Sequence, residues 1–423
     1  MILKEFDSLH YNHVYKDSNK KFQYISRETF DILEKFVLDN EETAQYLKIT
    51  TKRPYGKVLQ AQNYVGIIQT QNGITIEILP KITNIDSDKE LKEVLIKMLK
   101  TLKKSPFKNF NMANLKSSKL PLLEIFISMF LEELSKLIQK GIKSDYISKE
   151  ENLKFLKGKL LIGNQVKYNI IHKENFFVEY QEFNNDRVEN RLIKTTLQYL
   201  YKKSHFNMNQ QRIREFLFIF DDIKISKNAI IDFSKVKLNR QMKDYEKILI
   251  WCKTFLLENS FSPYKGRDIA FALLFDMNLL FESYVYDYLK KFGNFNKITA
   301  QDKVHHLAYL NGKEKFQLKP DIVINGGLII ADTKWKILSE DKTHHGISQA
   351  DMYQLYAYGT KYHECKDMYL IYPKDKIEHN KANHYQYFND DLCKSNKGLN
   401  LKIIFFDIIN DYKRRDFLDK ILI

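Results

Sequence analysis

The chain has 423 residues, of which 44% are hydrophobic and 13% aromatic. This length predicts two or three domains with real hydrophobic cores and excludes a disordered protein. The formal net charge of +15 favours a polyanionic partner, but charge alone does not choose between nucleic acid and an acidic membrane.

The three cysteines are widely spaced and form no Cys-x-x-Cys pair, which indicates neither a disulfide framework nor a zinc site. The first residues lack the apolar core of a signal peptide, and no apolar run of about 18 residues occurs. We therefore expect a cytoplasmic protein with no membrane contact.

The first region, residues 1–150, is predicted to contain a helix and a β-hairpin. Ser26 is a candidate N-cap for a helix to Leu38. Apolar and polar residues then alternate over 64–70 and 74–79 around Gln71-Asn72-Gly73, which is a strong hairpin signal. The hairpin is interpreted either as an ordinary sheet element or as a surface for a partner.

A lysine-rich stretch, residues 97–119, precedes an amphipathic helix over 122–138 that Gly141 ends. The stretch is typical of a solvated loop, with contact to DNA or to an acidic partner as the alternative. Residues 151–265 are predicted to be mostly helical, with strands before a helix near 188–202. Further helices are predicted over 210–220 and 241–257.

The last region, residues 266–423, begins with a predicted long helix over 268–291 that carries Glu282. An acid beside the apolar face of a helix is either solvated and paired or directed towards a functional site. A second helix is predicted over 348–362, with Gln354 and Tyr358 on one face because they are four residues apart. Gln349 and Tyr353 repeat the same spacing.

Between these helices, residues 318–336 read LKPDIVINGGLIIADTKWK and predict a tight hairpin. If Gly326 and Gly327 form the loop, Asn325 faces Leu328 and Asp321 lies directly opposite Asp332. Opposed residues share a face of the sheet, with Cβ atoms roughly 4.5–5.5 Å apart.

Lys334 is two residues beyond Asp332 and therefore belongs to the same face. Two adjacent carboxylates repel each other unless a cation lies between them, and a hard divalent ion with oxygen ligands is the natural solution. The lysine would orient a water molecule or offset charge on a phosphate. The alternative is a solvated edge hairpin with an ordinary ion pair between Asp332 and Lys334.

Pro320-Asp321 followed by Asp332-Thr333-Lys334 resembles the signature of the PD-(D/E)XK nuclease superfamily. The chain is also similar to the McrC family, the nuclease subunits of McrBC-type modification-dependent restriction systems. The similarity covers three segments, residues 64–79, 155–194 and 270–359. The last of these includes Phe275 to Glu282 before the signature and Asp351 to Gly359 after it. Polar packing between helices explains Asp186, Asn190 and Arg191 in the second segment equally well, so no catalytic role is assigned to them.

The resemblance implies an α/β fold, with a C-terminal nuclease domain of mixed sheet and helices after a β-containing N-terminal domain and a helical middle region. It implies Mg²⁺, for which Mn²⁺ would substitute, bound by Asp321, Asp332 and the carbonyl of Thr333. Glu282 would be a further ligand or a general base. Lys334 would position the attacking water, and Gln354 and Tyr358 would orient Lys334 or the scissile strand.

The resemblance also implies partners, namely DNA and a McrB-like AAA+ ring that hydrolyses GTP and reads the modified base. Residues 1–150 would bind that ring, and residues 266–423 would cleave the DNA. Residues 151–265 would connect these two regions. The Gly-Lys pairs at Gly56, Gly158 and Gly312 lack the remaining residues of a P-loop, so no nucleotide cofactor is expected on this chain. A self-sufficient nuclease and a non-catalytic DNA-binding assembly factor are the alternatives.

Overall fold

The computed structural model shows an α/β protein with several mixed and antiparallel sheets. Residues 260–266, Cys393 and most of the basic stretch 97–119 lie outside the residues that the structure describes. These described residues are 1–16, 20–39, 45–82, 85, 87–103, 107, 120–257, 269–338, 343–374, 384–387, 399–410 and 414–422.

The described residues divide into two compact units, the first formed by residues 1–108 and 266–423. Its N-terminal part contains β1 (Ile2–Lys4), β2 (Ser8–His10), β3 (Phe22–Tyr24), α1 (Arg27–Leu38), β4 (Leu47–Lys52), β5 (Gly56–Ala61), β6 (Tyr64–Thr70), β7 (Thr75–Leu79) and α2 (Asp88–Leu99). The second unit, residues 109–265, contains α3 (Leu122–Gln139), β8 (Asp145–Leu153), β9 (Lys159–Leu160), α4 (Ile162–Asn169), β10 (Phe176–Asn184), α5 (Val188–Lys203), α6 (Asn207–Ile219), α7 (Ala229–Lys235) and α8 (Tyr245–Leu256).

The C-terminal part of the first unit carries the remaining elements. They are β11 (Ile269–Asp276), α9 (Met277–Phe292), β12 (Ile298–Ala300), β13 (His306–Leu310), β14 (Lys313–Gln317), β15 (Ile322–Ile324), β16 (Ile329–Thr333), α10 (Gln349–Lys361), β17 (Asp367–Pro373), β18 (His384–Gln386), β19 (Asn400–Phe406) and α11 (Arg415–Leu422).

The sheet that carries the Asp-x-Lys motif has the strand order β12-β15-β16-β17-β19-β18. Strands β16, β17 and β19 are parallel to one another. They are nearly continuous apolar runs, as expected for strands buried on both faces. The loops after these three strands therefore gather at one edge of the sheet.

The sheet β1-β7-β6-β11 joins the N-terminal and C-terminal parts of the first unit. Strand β6 pairs with β7 in the predicted hairpin, with Gln69 opposite Thr75. On its other side β6 pairs with β11, which is about 200 residues away along the chain. The hairpin is thus an internal part of a sheet, and its strands are largely buried.

Several predicted elements are confirmed. Ser26 caps α1 by accepting a hydrogen bond from the backbone N of Thr29, and α3 ends just before Gly141, whose φ is +91°. The predicted helix over 348–362 corresponds to α10. Trp251 is buried in the core of the second unit, where its ring stacks on Phe255.

The predicted helix over 268–291 is wrong in its first part. Residues 269–276 form β11, and the helix α9 begins only at Met277. An apolar run of this length suits a buried strand as well as a buried helix, and the pairing with β6 decides between them. Asp276 caps α9 by accepting a hydrogen bond from the N of Asn278 at 2.8 Å.

The grouping of the chain differs from the three successive regions predicted. Residues 1–108 belong with residues 266–423, and the second unit begins at 109 rather than at 151. The long-range pairing of β6 with β11 is the physical reason. The predicted boundary near 265 coincides with the second division between the units.

Asp186, Asn190 and Arg191 make local contacts at the start of α5. The Asp186 carboxylate accepts two hydrogen bonds of 2.7 Å from the Arg191 guanidinium. Asn190 donates to the Asn185 carbonyl and accepts from the Tyr245 hydroxyl. These contacts join the loop before α5 to the helices around it, which agrees with the interpretation as packing residues. Among the described helices, none is long and apolar enough to span a membrane.

Candidate active site

The hairpin formed by β15 and β16 brings the two predicted aspartates together. Ile322 pairs with Ala331 and Ile324 with Ile329. Extending this register by one residue places Asp321 opposite Asp332, as predicted. The connection differs in detail, because Asn325, Gly326, Gly327 and Leu328 all lie outside the ladder. The register is unchanged, since Ile324 pairs with Ile329 as the spacing predicts.

The two carboxylates have different surroundings. Asp321 Oδ2 accepts hydrogen bonds from the N and the Oγ1 of Thr333, at 2.7 and 2.8 Å. Asp332 is only 1% exposed, and its Oδ2 lies 2.7 Å from the Nζ of Lys334. Thr333, which was predicted to offer its carbonyl to a metal, also holds Asp321 through its hydroxyl. This contact of the Thr333 hydroxyl was not predicted from the sequence.

Lys334 lies at the centre of a polar chain. Its Nζ pairs with Asp332, donates to Gln354 Oε1 at 3.1 Å and lies 3.7 Å from Asp351 Oδ1. The Nε2 of Gln354 in turn donates to the Tyr358 hydroxyl at 2.7 Å. The ammonium is thus held by groups from β16 and from α10.

Tyr358 completes the chain by donating to the carbonyl of Lys319 at 3.2 Å. The competing pair with the same spacing, Gln349 and Tyr353, forms its own hydrogen bond, but Tyr353 is 65% exposed. Asp351 lies in the similar segment 270–359, but no role was predicted for it. Its position three residues before Gln354, on the same helix face, was the signal that could have found it.

Glu282 lies on α9 and is partly buried. Its carboxylate accepts a hydrogen bond of 3.2 Å from the Nε2 of Gln301. Burial, followed by repulsion from Asp332 and Asp276, raises the pKa of Glu282 to about 7. Glu282 is therefore within electrostatic range of the aspartate pair, as expected of an acid directed towards the site.

The pKa values of the aspartates are also raised. Burial is the largest cause for both, and repulsion from Glu282 adds to it at Asp321, where the pKa rises to about 6. At Asp332 the repulsion comes from Asp321, and the pKa rises to about 7 although Lys334 acts to lower it. Perturbed carboxylates of this kind are typical of functional sites.

Oxygen donors and unfavourable carboxylate charge fit a hard divalent cation, which would relieve the repulsion between Asp321 and Asp332. The described side chains alone do not complete a set of metal ligands. Within the described part of the chain, no three His, Cys, Asp or Glu side chains stand close enough to form a metal-ligand group. The aspartate pair therefore needs oxygens from elsewhere, either backbone or water, or a shift of Glu282 towards it.

The fold and this arrangement define a mixed α/β protein with two carboxylates and a lysine gathered on one hairpin. Residues 59–373 match the family described as "McrBC 5-methylcytosine restriction system component". The match covers well over half of the chain, so the chain belongs to this family.

A solved structure of low sequence identity shares the fold. A chain in the half-complex of a tetradecameric assembly of Thermococcus gammatolerans McrB AAA+ hexamers with bound McrC is 19% identical, with a TM-score of 0.68. The alignment covers 100% of this chain and 99% of that one. A chain of the T. gammatolerans McrBC complex is 22% identical over 69% of this chain and 87% of its own length, with a TM-score of 0.48. No curated protein matches.

Proposed function

We propose that the protein is the Mg²⁺-dependent endonuclease subunit of a McrBC-like restriction system that cleaves modified DNA. The observation that carries the proposal is the pair of half-buried Asp321 and buried Asp332, with the Lys334 ammonium held beside it. A phosphodiester is hydrolysed by an attacking water, and the charge that develops on the phosphate must be offset. The site offers groups for both tasks.

The aspartate pair, with the carbonyl of Thr333, would hold the Mg²⁺. The ion supplies positive charge next to the phosphate and lowers the pKa of bound water. Lys334 orients the attacking water, because its Nζ is fixed by Asp332 and by Gln354. Glu282 is available as a further ligand or as a general base, and its raised pKa suits proton transfer near neutral pH.

A McrB-like GTPase ring is the proposed partner. In the similar solved assembly, McrC is bound to McrB AAA+ hexamers. The chain has no P-loop of its own, so nucleotide hydrolysis would come from the ring. The net charge of +15 supports DNA as the substrate, since cationic surfaces favour the phosphate backbone.

Replacing Asp332 by Asn tests the catalytic assignment. The change removes a ligand charge with almost no change of volume, so we expect cleavage of a methylated plasmid by the full chain with its GTPase partner to be lost. A matched control is Asp287→Asn, in an exposed ion pair with Lys291 on α9. Cleavage by Asp332→Asn at the wild-type rate in Mg²⁺ would contradict the metal assignment and leave the assembly-factor alternative.

A further inference from the structure

A cavity of about 310 Å³ opens in the first unit. Phe6 and Lys81 reach it just beyond the ends of β1 and β7, which are parallel strands. Trp335, Lys374 and Ile408 reach it just beyond the ends of β16, β17 and β19, which are also parallel. The cavity therefore lies at the carboxyl ends of parallel strands from two sheets, where α/β proteins commonly bind ligands.

The lining combines aromatic rings with positive charge. Phe6 is 45% exposed and adopts φ +66°, a left-handed conformation that is unusual for a bulky residue. The Nζ of Lys81 lies 5.9 Å from the centre of the Phe6 ring. Lys336 and Lys374 add two further ammonium groups. Aromatic rings beside ammonium groups are the combination that binds the bases and phosphates of single strands.

A buried carboxylate holds this lining in place. Glu5 is fully buried, and its two oxygens accept hydrogen bonds from Trp335 Nε1 at 3.1 and 3.0 Å. It also accepts a hydrogen bond of 2.9 Å from the backbone N of Lys81. The Trp335 ring contacts Phe281 with 5.4 Å between centres. Glu5 is thus a positioning residue that joins both halves of the cavity.

We propose that this cavity binds one unpaired nucleotide of the DNA strand that is cleaved. The proposal deepens the nuclease function and rests on it. Trp335 directly follows Lys334 in the chain, so the cavity and the proposed water-positioning group share the end of β16, with Trp335 on the face of α9 and Lys334 on the face of α10. The volume of the cavity is at the lower end of the range of small-ligand sites and suits one nucleotide. The base stacks on Trp335, with Phe6 beside it, and the lysines contact its phosphates.

Tryptophan fluorescence of the full-length chain in EDTA tests the proposal without cleavage. The chain has two tryptophans, and Trp251 is buried in the core of the second unit. A base stacked in the cavity quenches Trp335 alone, so titration with oligothymidylate gives a saturable quench that Trp335→Phe abolishes. Neither thymidine monophosphate nor oligoglutamate should quench at the same concentration of phosphate or carboxylate groups.

The variants give expected magnitudes. Phe6→Ala should weaken oligothymidylate binding about tenfold or more, because stacking on an aromatic ring is lost. Lys374→Gln should reduce the slope of log affinity against log salt by about 0.7. Phe292→Ala and Lys290→Gln, which change residues at the end of α9, are matched controls and should bind as the wild type does.

Three results would overturn the proposal: no quench by oligothymidylate, an equal quench by thymidine monophosphate, or an equal quench by oligoglutamate. The second would mean a free-nucleotide site, and the third an acidic peptide site. Plasmid cleavage by the same preparation with its partner separates these results from failure of the nuclease function. If cleavage occurs without a quench, the cavity assignment alone fails; if a quench occurs without cleavage, the nuclease function fails.

Discussion

At the scale of single residues, the position of the Lys334 ammonium is the most informative feature. It makes an ion pair with Asp332 at 2.7 Å and a hydrogen bond with Gln354 at 3.1 Å. An ammonium group has no lone pair, so Lys334 cannot be a metal ligand and must act through water or charge. Mutation can therefore distinguish the residues that bind the metal from Lys334, which acts on the water or on the phosphate charge.

We expect Lys334→Ala to lose turnover by about 10²- to 10³-fold while metal binding survives. Cleavage assays give the first quantity, and calorimetric titration with Mn²⁺ gives the second. Lys366→Ala, at an exposed position just before β17, is the matched control for loss of a lysine. If activity and metal binding disappear together in Lys334→Ala, the lysine chiefly maintains the shape of the hairpin.

The raised pKa of Asp332 gives a second prediction, on stability in the absence of metal. A carboxyl whose pKa rises from 3.8 to about 7 on folding stabilises the fold below pH 4, and this contribution is lost as the pH rises through 7. The amide in Asp332→Asn is neutral at every pH, so this variant should gain stability over wild type between pH 5 and pH 8.

The measurement is thermal unfolding of both proteins in EDTA at the two pH values. We expect the difference in Tm, variant minus wild type, to increase by about 2–4 °C or more from pH 5 to pH 8. A difference independent of pH would mean that the Lys334 ion pair compensates the burial of Asp332. Adding Mg²⁺ should selectively stabilise the wild type, because the ion favours the charged pair.

At the scale of elements, the sequence predicted the register of the site but not every element around it. The spacing around Asn325-Gly326-Gly327 predicted which residues face each other. The structure has the same register, although the turn is wider than two residues. By contrast, residues 269–276 carry no periodicity that separates strand from helix. Only their pairing with β6, far away in the chain, decides their conformation.

Helix α10 carries two Gln–Tyr pairs with the same spacing, so a mutation in one pair can be the control for a mutation in the other. Tyr358→Phe removes the hydroxyl that accepts from Gln354 and donates to Lys319, so the Gln354 amide loses its orientation towards Lys334. We expect cleavage to fall about 3- to 30-fold, as for loss of one neutral hydrogen bond that acts through another residue. Metal affinity should not change.

Tyr353→Phe removes the equivalent hydroxyl from the exposed Gln349–Tyr353 pair on the same helix. It should cleave as the wild type does. Equal losses in Tyr358→Phe and Tyr353→Phe would mean that α10 contributes through the helix as a whole rather than through the Gln354–Tyr358 pair.

At the scale of the whole molecule, the division into units could not be predicted from the order of the elements along the chain. Residues 1–108 and 266–423 are joined by pairing between β6 and β11, and no local pattern in the sequence reports such a contact. A fragment of residues 1–150 would therefore lack the strand that covers β6. For this reason, experiments on partner binding need the full-length chain.

The structure also changes the expectation for the partner surface. The tip of the β6–β7 hairpin is attached to α1, because Asn72 Nδ2 donates to Thr29 Oγ1 at 2.9 Å. A group of exposed apolar side chains lies on and around β8, β10 and α4 in the second unit, at Tyr146, Phe155, Leu156, Ile162, Val166, Tyr168, Ile170, Ile171 and Phe183. Exposed apolar patches of this kind mark interaction surfaces.

We therefore predict that this patch in the second unit, rather than the hairpin, contacts the GTPase ring. Ile171 is 84% exposed, so Ile171→Asp should leave folding intact while it weakens binding and lowers stimulation of GTP turnover about tenfold. Asn72→Ala is the comparison for the hairpin and should retain stimulation. Both are measured with full-length chains of equal Tm, and loss in Asn72→Ala with full activity in Ile171→Asp would return the partner surface to residues 1–150.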